Sequence, residues 1–448
     1  MLSLAESRAA VERLVDRAIR GGADAADALY AGSRSTSVQV RLGKLEDVSR
    51  SEGAEIGLRV FVGARSASVA SSDLSDAALT ELVERAVAMA GEAPEDRFAG
   101  LAPPGLLANP PFPVLDSVDD VESDPAALRS RALETESAAL AVVGVSNSNG
   151  ASASESASTV ALAASNGFVG AHESTGFSCS AGVIAGEAGT MQRDHAWHSA
   201  RHLRDMDSPA EIGRLAGERA IARLNPVRPR SGPMPVLFDP RVSHTLLGHL
   251  AAAISGSSVA RKSSFLQDKL GERIFAAGVT VTDDPLVLRG LRSRPFDGEG
   301  VRVRRMDIIS DGVLQSWMAD CASARQLGIE PTGHAARGVG SAPGMSPSNF
   351  TMAAGKRSRE ELLAAFPEAL LVTELIGQGA NPVTGDYSRG AAGFLVRDGM
   401  IGPAVQEITI ASNLIDMFAS IEPASDLELR HGIDAPTLLI PQMTVASS

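Results

Sequence analysis

The sequence predicts an α+β protein in two main parts, residues 1–225 and 226–448. Three observations carry this expectation. Some segments space their apolar residues at the helical period, while others alternate apolar and polar residues as half-buried strands do. A Pro-rich, basic break at residues 225–232 (NPVRPRSG) separates two such sets. No fixed-period repeat runs through the chain.

In order along the chain, residues 4–20 place Leu4, Ala9, Val11, Leu14, Val15, Ala18 and Ile19 near helical spacing, and Gly21-Gly22 stops the helix. Residues 37–42 alternate as Val38, Val40 and Leu42, and residues 56–62 as Ile56, Leu58, Val60 and Val62; both predict strands. Ser71, Ser72 and Asp73 offer caps for a helix through Leu79, Leu82, Val83 and Val87. Together these form an α+β module over about the first 90 residues. Residues 94–113 are rich in Pro and Gly and predict a crossing loop or linker. Residues 124–143 predict a helix. Residues 144–159 are rich in Ser, Asn, Ala and Gly, but apolar residues resume over 160–186. A curved antiparallel sheet with a Gly/Ser-rich turn is expected there, followed by a strand over 190–200.

Ser208-Pro209-Ala210-Glu211 is a capped helix start with Pro at the first helical position, running to about Leu224. After the break, residues 234–238 predict a buried strand. Asp239-Pro240 opens a helix through Val242, Leu246, Leu247, Leu250, Ala251 and Ile254. The remainder predicts Gly-punctuated short strands with one clear helix near 358–365.

Composition narrows the function. Apolar residues are 44% and charged residues 21%, as in soluble globular proteins. Aromatics are only 4%, so Ala, Val, Leu and Gly must do the packing. With 41 basic and 54 acidic residues the net charge is -13. No long basic run exists to neutralise phosphates, which argues against nucleic-acid binding. Two cysteines, Cys179 and Cys321, form no disulfide framework. There is no signal-peptide core and no apolar stretch of about 18 residues, so no membrane span and a cytoplasmic location are expected.

Four clusters could carry chemistry. His244-Thr245-Leu246-Leu247-Gly248-His249 lies near a helix start, but at i and i+5 its histidines point roughly 140° apart on a regular helix. Metal-binding helix pairs usually share a face, and Thr245 cannot act as a carboxylate base. Gly248 could admit a local distortion. Asp194, His195, His198 and His202 look like a metal cluster, but on a strand residues i and i+3 face opposite sides. Cys321 and His334 lack a third partner at a recognisable spacing. The run from Gly377 to Gly390 is neither a P-loop nor a dinucleotide turn. It concentrates exposed amides, a Tyr and an Arg, and predicts either a substrate or partner loop over Asp386, Tyr387, Ser388, Arg389 and Gly390 or a plain hairpin.

An ordered series of segments then resembles the TldD/PmbA family, on its PmbA (TldE) side. It includes Leu247-Gly248-His249-Leu250, Arg261-Lys262-Ser263-Ser264-Phe265-Leu266 and Pro295-Phe296-Asp297-Gly298-Glu299-Gly300. It continues through Thr332-Gly333-His334-Ala335, Thr384-Gly385-Asp386-Tyr387-Ser388-Arg389-Gly390 and Glu407-Ile408-Thr409-Ile410-Ala411. The resemblance spans nearly the whole chain. It implies a heterodimer of a zinc-bearing TldD-like protease and a TldE-like subunit, acting on unfolded or extended peptides. The TldD-type motif is H-E-x-x-x-H with a downstream cysteine ligand. Its i, i+5 spacing weakens the geometric objection above. Here His244 and His249 stand, Thr245 replaces the glutamate, and Glu374-Leu375-Ile376-Gly377-Gln378 holds no cysteine where the third ligand is expected.

The resemblance therefore implies a non-catalytic subunit that binds no zinc itself and pairs with a TldD-like partner, or forms a homodimer alone. Two rival readings are a stand-alone metallopeptidase using His244 and His249, and a regulator that binds DNA gyrase without proteolysis, the family having long been called modulators of DNA gyrase.

Overall fold

The computed structural model describes residues 1–122, 124–187 and 189–447, and its architecture is α+β. Helix α1 (Leu4–Arg20) starts on a capping box: the Ser3 hydroxyl accepts from the Glu6 amide while Glu6 reaches back to Ser3. Strands β1 (Ala25–Arg41), β2 (Lys44–Val62) and β3 (Arg65–Ser71) follow, then α2 (Asp76–Glu92) and α3 (Pro125–Leu140). Next come β4 (Val145–Ala164), β5 (Val169–Ala185), β6 (Gln192–Ala200) and α4 (Pro209–Ala222). All six strands form one antiparallel sheet in the order β3-β2-β1-β4-β5-β6.

Two expectations change here. The strand expected over 37–42 is the last third of a much longer β1, turned into β2 by Leu42 and Gly43, both at positive φ. The Ser/Gly-rich run over 144–159 is not a turn but most of β4. Its small residues serve packing. Alternate alanines (Ala151, Ala153, with Ala181 and Ala196 beside them) are buried under α3 and α4. On the opposite side serines bond across strands, Ser152–Ser180 at 2.9 Å, Ser158–Ser174 at 2.9 Å and Ser178–Ser199 at 3.0 Å.

Strand parity sorts the two faces. Ala26, Ala28, Tyr30, Val38 and Val40 of β1 face α1 to α4. Leu29 of β1 and Leu162 of β4 face the other way, onto Phe168, Phe296, Val301 and Cys321. That second face docks on the C-terminal part, and a buried charge cluster sits in the seam. Asp27 accepts from Arg59 Nη2 at 2.5 Å and from Arg337, while Arg59 also meets Glu299 at 3.3 Å. Gly57 lies against the Val339 carbonyl so closely that a Cβ there would stand 1.6 Å from the oxygen.

The C-terminal part begins with β7 (Gly232–Phe238), α5 (Pro240–Ala253) and α6 (Gly256–Ala260). Short strands β8 (Val281–Asp284), β9 (Met306–Ser310) and β10 (Val313–Leu314) follow, then α7 (Cys321–Leu327), β11 (Ala335–Ala336), β12 (Gly344–Met345), β13 (Asn349–Met352) and α8 (Arg359–Leu363). The chain continues as β14 (Glu368–Ile376), β15 (Asp386–Arg397), β16 (Met400–Asn413), α9 (Leu414–Ser420), β17 (Glu422–Pro423), β18 (Ile433–Asp434) and β19 (Leu438–Ser447). The pairings β7–β14–β15–β16–β19–β7 run round in a closed ring. The main core lies between this ring, α5 and the β8/β9/β13 sheet, with Phe238, Leu246, Leu250, Val281, Phe350 and Tyr387 buried in it. Among the described residues no helix is long and apolar enough to cross a membrane.

Candidate functional site

Helix α5 carries the two histidines of interest. It starts because Asp239 caps the Arg241 amide and Pro240 occupies the first helical position. Val242, Leu246, Leu247 and Leu250 bury its inner face. The helix runs regularly through Gly248, without the local distortion that glycine could have admitted. His244 and His249 consequently meet different neighbours. The His244 ring faces His431 at 6.3 Å between centroids, and Trp197 packs on His431 at 4.6 Å. The His249 ring meets Tyr387 edge-on at 5.8 Å. The Thr245 hydroxyl donates to the Val242 carbonyl at 2.6 Å, so its proton is engaged within the helix.

Burial holds both imidazoles below the usual histidine range, and the Arg389 cation lowers His249 further. A guanidinium beside His249 also opposes a dication there. Among the described residues no three His, Cys, Asp or Glu side chains come together as a metal-holding group. Residues 374–378, where the family's cysteine ligand is expected, form the end of β14 and the turn after it. The residues present therefore do not fit a tetrahedral zinc site of the protease type.

His244, Thr245 and Arg389 line a cleft of about 1570 Å³, with Trp197, Glu374 and His431 on its other walls. Its rim is held by ion pairs between the two parts: Arg241–Asp194 at 2.5 Å, Arg430–Asp207 at 2.5 Å, and Arg223 with Glu374. The sequence reading missed Trp197 and His431, which share the cleft with His244. His431 sits in an irregular segment with no periodicity to flag it.

The five residues named from the Gly-rich run begin β15. Asp386 is exposed and tied by the Thr384 hydroxyl at 2.6 Å and Asn413 Nδ2 at 3.2 Å. Tyr387 is 1% exposed and Arg389 half-buried; Ser388 points outward, its amide donating to Gly379 at 2.6 Å, and Gly390 pairs with Ile376 and Thr409. An open pocket of about 570 Å³ lies between residues 378–382 and 386–388.

The other clusters resolve into separate contacts. His195 is exposed on β6, His198 Nδ1 accepts the Asp207 amide at 2.9 Å, and His202 Nε2 meets the Asp116 carbonyl at 2.8 Å. Cys321 is buried beside Glu299, and both burial and that carboxylate push its thiol up. His334 bonds instead to Thr332 at 2.8 Å and lies 3.2 Å from Asp283.

Comparison with known proteins agrees with this architecture. The family profiles of the PmbA/TldA metallopeptidase match over domain 1 (residues 26–90), the central domain (119–224) and the C-terminal domain (231–447). Metalloprotease PmbA of Escherichia coli O157:H7 is 38% identical over 428 residues, covering 95% of this chain and 93% of that one. The Metalloprotease PmbA homolog of Haemophilus influenzae is 35% identical, covering 99% and 96%. A crystal structure from Bacteroides thetaiotaomicron, of a protein named as a modulator of DNA gyrase, aligns with TM-score 0.91 at 26% identity over 100% of both chains. TldE from Thermococcus kodakarensis shares the fold, with TM-score 0.85 at 21% identity over 98% of this chain and 100% of that one. On these grounds the chain belongs to the TldD/PmbA metallopeptidase family and is of its PmbA/TldE type.

Proposed function

We propose that this chain is a non-catalytic subunit that pairs with a zinc-bearing TldD-like chain and helps hold an extended peptide for cleavage. The observation that carries the reading is Thr245, which stands where the family's protease has its glutamate and whose hydroxyl is engaged by the Val242 carbonyl, together with the absence of a cysteine from residues 374–378. A hydrolytic zinc needs a third ligand and a base, and these positions offer neither. The cleft beside His244 and the pocket at β15 support a role in holding peptide, in part through main-chain pairing. Two unpaired buried cysteines are in keeping with work in a reducing cytoplasm.

The test is metal content of the purified chain together with peptidase activity on an unfolded substrate, with and without a TldD-like partner. No stoichiometric zinc, and activity only with the partner, is the expected result. Stoichiometric zinc with stand-alone activity that disappears in His244→Ala would establish the rival reading of a self-sufficient metallopeptidase.

A further inference from the structure

Three buried polar atoms at the seam of α5 and β15 lack a well-formed hydrogen bond, although Arg389 lies close enough to Tyr387 to act on its phenol. They are His249 Nε2, Tyr387 Oη and Arg389 Nε. The three side chains are neighbours. Tyr387 and Arg389 stand two apart on one face of β15, and that face looks at His249, whose ring lies 5.8 Å from that of Tyr387. Leaving a buried polar atom without a partner is costly, so native proteins rarely do so without a reason. One such atom could be incidental, but three on touching side chains form a set.

The charge balance gives the set a sign. Among the described residues no carboxylate lies within ion-pair distance of Arg389. The nearby acids are engaged elsewhere: Glu374 with Arg223, and Asp386 with Thr384 and Asn413. Burial pushes the Tyr387 phenol up to about 12, outweighing the pull of Arg389, so it stays a hydroxyl donor. His249 is held neutral and can donate from Nε2 in one tautomer. A cation and two neutral donors with no anion among them suit a planar, two-oxygen acceptor.

Position gives it access. Tyr387 walls the open pocket between residues 378–382 and 386–388, and Arg389 lines the large cleft on the other side. The segment between β14 and β15 is bounded by Gly377 and Gly385, both at positive φ, where the backbone turns. We propose that His249, Tyr387 and Arg389 form a receptor for a carboxylate of the bound peptide, either its C-terminus or an acidic side chain. This rests on the peptide-holding reading above and adds to it a chemical preference at one point.

The test uses the full-length chain and three dansylated, unstructured peptides of Gly, Ser and Ala. One has a free C-terminal carboxylate, one a C-terminal amide, and one an amide with a single internal Glu. Fluorescence titration is expected to show the free acid binding about tenfold more tightly than the plain amide, the worth of one charge-assisted contact. Arg389→Gln should erase that difference, Arg389→Lys should retain part of it, and Tyr387→Phe should reduce it. If the internal-Glu amide binds like the free acid and also loses its advantage in Arg389→Gln, the carboxylate receptor stands with a side-chain source. Equal binding of all three peptides overturns the receptor while leaving the peptide-holding reading intact. No binding of any peptide overturns both. Should Tyr387→Phe fail to fold, Arg389→Gln at the half-exposed edge decides the matter.

Discussion

Asp27→Asn should loosen the N-terminal sheet from the C-terminal part. Asp27 is 2% exposed and neutralises Arg59 and Arg337 at once; among the described residues the only other anion in contact with either guanidinium is Glu299, at 3.3 Å from Arg59. Removing its charge leaves two buried guanidiniums and one carboxylate. Stranding a buried charge in this way costs about 3–5 kcal/mol. For a part of roughly 200 residues that is a fall in melting temperature on the order of 10 °C. Differential scanning calorimetry reads it, with the N-terminal transition dropping below and separating from the other.

The same substitution carries a pH signature. Burial works to raise the Asp27 carboxyl, but Arg59 and Arg337 together outweigh it and hold the group below the usual range. A lowered carboxyl contributes stability above its unfolded pKa and loses it as pH falls through the folded value. The gap between wild type and Asp27→Asn should therefore narrow in acid. Asp76→Asn, which removes the exposed pair Arg17–Asp76, is the control and should leave the transition in place. A shift for Asp27→Asn no larger than the control's would refute the reasoning.

Two further outcomes concern the same seam and a third the two buried thiols. Burial, then the Glu299 charge, push Asp297 up to about 7. A raised carboxyl contributes stability fully below its unfolded pKa and loses it as pH rises to the folded value, so stability should decline between about pH 4 and pH 7. Asp297→Asn should flatten that slope in chemical denaturation series. Gly57→Ala forces a Cβ onto the Val339 carbonyl and should cost about 1–3 kcal/mol or more, with faster limited proteolysis around residues 337–341. Cys179 and Cys321 are both buried with thiols pushed up, so native alkylation by iodoacetamide at neutral pH should stay near zero until denaturant is added, as intact mass will show.

Much of the helical content was legible because caps are local signals. Ser208-Pro209 and Asp239-Pro240 mark α4 and α5 where they begin, and Ser358 opens α8 with a capping box to Glu361. The cap of α2 is Ser75, not a residue of 71–73, because Ser71 and Asp73 bond each other in a turn before the helix. Strand partners were less legible. Nothing near residue 30 announces that β1 pairs with β4 some 130 residues later, so the first module has no edge at residue 90. The Ser/Ala alternation of β4 reads as low complexity until the helices over its alanines are known. In the site, the motif residues could be named, but the contacts His244–His431 and His249–Tyr387 join segments far apart in sequence.

The closed ring of the C-terminal part has a consequence during synthesis. Its first strand, β7, is framed by β14 and β19, and β19 begins roughly 200 residues after β7. At about 5–20 residues per second, the nascent chain holds an open β7 edge for roughly 10–40 s before the closing strand emerges. The hydrophobic run Met234–Phe238 is exposed to neighbouring chains for that whole interval. Slowing translation between β7 and β19 should thus raise the insoluble fraction more than slowing it within residues 1–225, where each of β2, β3, β5 and β6 finds a partner soon after it is made.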